Sequence, residues 1–125
     1  MRFNLDNSAG NSIQSYSQRG IIINGRLIGN SVLVTAEHIE AWPPGSVAEL
    51  NEQHLDRLVT RRPGIIVLGT GATLVFPPAR LLAGIQQRGI GIEVMANDAA
   101  IRTFNVLLSE DRRVLLALLQ GRSAT

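Results

Sequence analysis

Two segments, Gly69-Thr70-Gly71-Ala72-Thr73 and Met95-Ala96-Asn97, carry residue types able to hold a ligand. Glycines that follow a parallel strand let the backbone turn its N–H groups toward an anion or a carbonyl. Thr70, Thr73 and Asn97 would add side-chain hydrogen bonds, and Arg102, one turn into a following helix, presents a fork suited to a carboxylate or phosphate. With Asn105, the candidate ligand-binding set is Gly69, Thr70, Gly71, Thr73, Met95, Asn97, Arg102 and Asn105. An architectural reading covers the same residues. The glycines then serve a tight turn under Phe76, Asn97 caps a helix, and Arg102 pairs with Asp98, whose charge would repel an anion there.

The glycine segment is not a dinucleotide fingerprint. Leu74 stands where a third glycine is needed, and Phe76-Pro77-Pro78 delays the helix that would aim its N-terminus at a phosphate. All twelve basic residues are Arg, so the lysine of a Walker-type loop is missing. Serine hydrolase chemistry needs a nucleophile elbow, and no Gly-x-Ser-x-Gly occurs. His38, between Glu37 and Ile39-Glu40, falls far short of a metal ligand set, and His54 is expected to face solvent early in a helix. With no Cys, disulfides and thiolate chemistry are excluded. No catalytic residue, metal or cofactor is assigned.

The elements that must position these residues follow from the pattern. Ile21-Ile22-Ile23, Asn24-Gly25 and Arg26-Leu27-Ile28 read as a β-branched hairpin, and Ser31 to Thr35 is expected to extend it into an antiparallel ribbon or meander. Trp42-Pro43-Pro44-Gly45 breaks regular structure, and Trp42 either closes the edge of its own core or anchors a partner. Asn51 caps a first helix that ends near Arg61 or Arg62, with Leu50 and Leu55 as a hydrophobic staple. Ile65-Ile66-Val67-Leu68 is a strand buried on both faces, Pro78 opens a second helix that Gly89 ends, and Ile92 to Met95 is the next strand. This is a βαβ unit, so a right-handed crossover and parallel strands are expected. A third helix runs from Asn97 as cap to about Ser109, and the length of Val114 to Leu119 favours a strand.

The bulk composition agrees with one folded unit. The sequence has 125 residues, 45% apolar and 18% charged, enough for a single core and unlike a disordered chain. Twelve basic against ten acidic residues leave a net charge of only +2, which argues against general nucleic-acid affinity. Arg61-Arg62 and Arg112-Arg113 read as solvated element ends. No secretory signal or membrane-spanning run is visible, so a cytoplasmic protein without membrane insertion is expected. Residues 1–15 read as a poorly ordered or surface-laid arm and residues 16–122 as the domain.

Gly69-Thr70-Gly71, Gly91-Ile92-Glu93-Val94-Met95 and Ala99-Ala100-Ile101-Arg102-Thr103-Phe104-Asn105 followed by Arg112-Arg113 resemble a small domain-of-unknown-function family. That family includes a mitochondrial respiratory complex I (NADH dehydrogenase) assembly factor, an adipogenesis-associated protein and many bacterial and archaeal members. Tyr16, Gly20, Asn24-Gly25, Ser31 and Trp42 extend the likeness over nearly the whole chain. The resemblance implies a three-layer α/β domain around a five-stranded mixed sheet, with the last strand antiparallel to its neighbours. It supplies no reaction. Many members carry Tyr at the position of Phe104 and Gly at that of Asp111.

Two functional readings result. The first is a non-enzymatic binding or assembly-type module with a protein partner, acting alone or as a homo-oligomer through the loop edge around Gly69 to Gly71 and Met95 to Asn97. The second is a binding protein for a small anion or carboxylate, or a weak enzyme, using the same edge. A filled edge beside an exposed apolar patch favours the first, and a formed pocket with an ordered ligand the second.

Overall fold

The computed structural model describes residues 10–121. Residues 1–9 of the expected arm and residue 122 of the expected domain therefore lie outside the described residues, and residues 13–15 of the arm belong to β1 (Ile13–Ser17), with Ile13 in the core. β1, β2 (Gly20–Ile23) and β3 (Arg26–Ile28) form a three-stranded antiparallel sheet. Asn24 and Gly25 both adopt positive φ, 52° and 77°, which is the hairpin turn that their side chains predict.

The second sheet contains β4 (Val32–Val34), β5 (Ile39–Ala41), β6 (Ile65–Gly69), β7 (Gly91–Met95) and β8 (Val114–Leu118), in the order β5-β4-β8-β6-β7. The Ser31 to Thr35 run does not join the ribbon. Val32, Leu33 and Val34 are buried on both faces, so they serve as an interior strand between β5 and β8. β6 and β7 are parallel, with Gly69 opposite Met95. β8 is antiparallel to β4 but parallel to β6, which corrects the expectation for the last strand. The cause is the helix before it: after β7 the chain travels back along the sheet and turns through Glu110 to Arg113, so it re-enters in the original direction.

Helices cover the faces. α1 (Glu52–Val59) and α2 (Ala79–Gln86) lie on one side, where Leu55, Leu58, Leu81, Ile85 and Trp42 pack on Leu33, Ile66, Leu68 and Leu115. α3 (Asn97–Ser109) and the small sheet cover the other, joining Ile101, Phe104, Ile21 and Ile23 to Val34, Val67, Leu116 and Leu118. Three layers result. None of the described helices is long and apolar enough to cross a membrane.

The end of α3 stores strain. Asp111 adopts φ 61°, a left-handed conformation that a side chain disfavours, at the position where the resembling family often has glycine. Replacing Asp111 with Gly is expected to raise stability by about 0.5–1 kcal/mol, read as a higher denaturant midpoint at unchanged slope.

Candidate functional site

The carboxyl ends of β6, β7 and β8 meet on one rim, and Asn97 ties them together. This side chain is only 1% exposed. Its Oδ1 accepts a hydrogen bond from the Gly71 N–H at 2.9 Å, and its Nδ2 donates to the Leu119 carbonyl at 2.9 Å. Its own N–H donates to the Gly71 carbonyl at 2.8 Å. Asn97 therefore stands at the end of β7 while holding the residues that follow β6 and β8. It is the first helical residue rather than the expected cap, a position that Ala96 takes, because its side chain is already engaged across the sheet.

Gly69 is required by the same contact. A Cβ at this position would lie 2.5 Å from Asn97 Oδ1 and 2.6 Å from Leu118 Cδ1, so only glycine lets the strand approach. Gly71 needs its φ of 111° instead, since a side chain there would meet nothing. Thr70 closes the turn from within. Its N–H donates to the Met95 carbonyl at 2.9 Å, its Oγ1 donates to the Thr73 carbonyl at 2.7 Å, and the Val75 N–H donates to Oγ1 at 3.1 Å.

Six of the eight candidate residues are thus brought together: Gly69, Thr70, Gly71, Thr73, Met95 and Asn97. The other two are turned elsewhere on α3. Asn105 accepts from the Ile13 N–H at 2.8 Å and donates to the Ile13 carbonyl at 2.9 Å, clamping β1 to the helix. Arg102 projects into solvent with its side chain 71% exposed, 3.9 Å from Asp98. The side chains of Thr70 and Asn97 are spent within the rim, and Asp98 adds negative charge at the mouth of α3.

Beside this closed rim lies an apolar strip. Leu74, Val75 and Phe76 follow the glycine turn in irregular chain, and Phe76 is 67% exposed. Sequence reasoning placed Phe76 over the turn as cover, because apolar residue types read as core. The signal available was position: three apolar residues outside any periodic element, stopped by Pro77-Pro78.

Other candidates are structural. Trp42 is buried and donates its indole N–H to the His54 carbonyl at 3.3 Å. His54 does not simply face solvent: its Nδ1 accepts from the Asn51 N–H at 3.2 Å while Asn51 Oδ1 accepts from the His54 N–H at 3.0 Å, a reciprocal cap of α1. At the opposite end of the sheet a concavity of about 690 Å³ is lined by His38, Arg61, Asp111, Arg112 and Arg113, among others. Arg61 there bonds Glu40, together with Arg57, and these guanidinium hydrogen bonds hold the Glu40 carboxyl below the usual carboxylate range. Arg113 donates to the Arg62 carbonyl. Among the described residues, no group of three or more His, Cys, Asp or Glu is placed to hold a metal ion.

Residues 13–119 match a family described as protein of unknown function (DUF498/DUF598). The chain belongs to that family. It is 38% identical over 114 residues to NADH dehydrogenase (ubiquinone) 1 alpha subcomplex assembly factor 3 of Danio rerio, covering 90% of this chain and 66% of that protein. The Homo sapiens protein of the same name is 32% identical over 115 residues, covering 90% and 62%. The chain therefore spans somewhat under two thirds of the length of these curated relatives. Among solved structures, Xanthomonas campestris XCC1710 superposes with a TM-score of 0.83 at 36% identity, covering 91% of this chain and 87% of that one. This DUF498/DUF598 member thus shares its fold with XCC1710 and is similar in sequence to proteins named as assembly factors.

Proposed function

We propose that this chain is a non-enzymatic, assembly-factor-type module that binds a protein partner through the rim formed by Gly69 to Gly71, Met95 to Asn97 and the adjoining strip Leu74 to Phe76. The observation that carries this reading is a rim whose Thr70 and Asn97 side chains are consumed internally, set against a phenylalanine left two-thirds in solvent. Burying such an aromatic at an interface contributes far more than it does in water, and exposed anchors of this kind concentrate binding energy. The names of the curated relatives support an assembly role, and extend the proposal to subunits of a multisubunit NADH dehydrogenase as the partner.

The test is site-specific photocrosslinking in cells. A benzophenone side chain at position 76 is expected to give a discrete protein adduct that a probe at Arg26 of β3 does not give. Phe76→Asp, at unchanged melting temperature, should fail to compete for that partner, whereas excess unlabelled wild-type protein should suppress the adduct. No adduct from position 76, or the same adducts from both positions, overturns the proposal.

A further inference from the structure

The outer edge of β7 is an open strand edge. Gly91 N–H donates to the Gly64 carbonyl at 3.4 Å, and Thr70 N–H donates to the Met95 carbonyl at 2.9 Å. These two bonds fix the phase of the strand: Gly91, Glu93 and Met95 turn their main-chain groups toward β6. Because the phase alternates with period two, the N–H and C=O of Ile92 and Val94 point away from the sheet. No group among the described residues bonds to them.

Sheet edges are ordinarily guarded by proline, lysine, bulges or very short strands. The far edge, β5, is three residues long, and its Glu40 is held by Arg57 and Arg61 of the α1 region. β7 is five residues long, pairs without a bulge, and contains neither Pro nor Lys. Its single charge is Glu93, exposed and without an ion pair among the described residues. On either side of that carboxylate the edge is apolar and only half covered: Ile92 and Val94 lean on the α2 layer, and Met95 on the α3 layer.

We infer that this edge accepts an extended segment of another protein as an added strand, with a basic residue opposite Glu93 and β-branched residues opposite Ile92 and Val94. Charge selects that occupant over a second copy of the chain. Two β7 strands joined antiparallel through all four free groups would pair Ile92 with Val94 in both directions and set one Glu93 directly opposite the other, which is destabilising. A basic residue at the same place gives a favourable cross-strand pair. The inference is independent of the rim, since it uses backbone groups that the strip Leu74 to Phe76 does not touch.

The probe is the peptide acetyl-Ser-Thr-Val-Arg-Val-Thr-Ser-amide at millimolar concentration, added to the isotope-labelled protein. At saturation, amide exchange at Ile92 and Val94 should slow at least about tenfold, with Gly91, Glu93 and Met95 unchanged because they are already bonded. A peptide with Glu in place of Arg should bind at least about threefold more weakly, and Glu93→Arg should reverse that order. Val94→Pro removes one outward N–H at an edge position where proline is tolerated, and should abolish the protection while the circular dichroism spectrum is kept. Phe76→Asp should leave all of this unchanged, which separates the edge from the rim. Equal binding of the two peptides, no protection at Ile92 and Val94, or protection that rises with protein concentration alone overturns the inference.

Discussion

Asn97→Ala is expected to destabilise the protein by about 2–3 kcal/mol, because one buried and one part-buried main-chain group lose their partners at once. The Gly71 N–H and the Leu119 carbonyl both bond this side chain, and a water has little room to replace a group that is 1% exposed. Asn97→Asp is expected to do no better. A carboxylate can still accept from Gly71 but cannot donate to the Leu119 carbonyl, and it would carry its charge into the interior. Chemical denaturation checks both, and a loss below about 1 kcal/mol for the alanine variant would show that the clip contributes little.

Gly69→Ala is expected to cost a similar amount, about 2–3 kcal/mol, from overlap rather than from a lost bond. Its new methyl would press on Asn97 Oδ1 at 2.5 Å and on Leu118 Cδ1 at 2.6 Å. The two effects share an atom, so they should not add. With Asn97 already truncated, the methyl gains room, and the double variant is expected to be more stable than the sum of the singles by about 1 kcal/mol or more. Strict additivity would mean that Leu118, not Asn97, resists the methyl.

The parallel pair was legible because its cues are local. Ile65 to Leu68 is an unbroken apolar run between glycines, and Gly91 to Met95 begins after a helix that Gly89 ends with φ 79°. The length of the run likewise allowed Val114 to Leu119 to be read as a strand despite helix-favouring Leu and Ala, and the structure shows Val114–Leu118 as a wholly buried strand. What sequence could not carry was partnership at a distance. Asn97 sits where a cap belongs, but its partners lie 26 and 22 positions away, so a local reading assigns it a local duty. Asn105 looked like part of a polar lining until Ile13, 92 positions earlier, took both of its amide groups. Arg102 failed to converge for a simpler reason. A spacing of five from Asn97 rotates it well off the sheet-facing side of α3 at 3.6 residues per turn. Phe76 shows the converse: its chemistry suggests interior, and only the surrounding irregular chain leaves it outside.

The place of β8 bears on how the molecule is made. β8 lies between β4 and β6, so the two halves of the large sheet have no direct ladder to each other. During synthesis β4 must wait for more than eighty further residues to leave the ribosome before its second neighbour exists. Vectorial completion of the sheet is therefore barred, and the nascent chain holds two unfinished ribbons until its closing segment arrives. Stalling translation just before Val114 should yield a protease-sensitive nascent chain, whereas release past Leu119 should yield a resistant one.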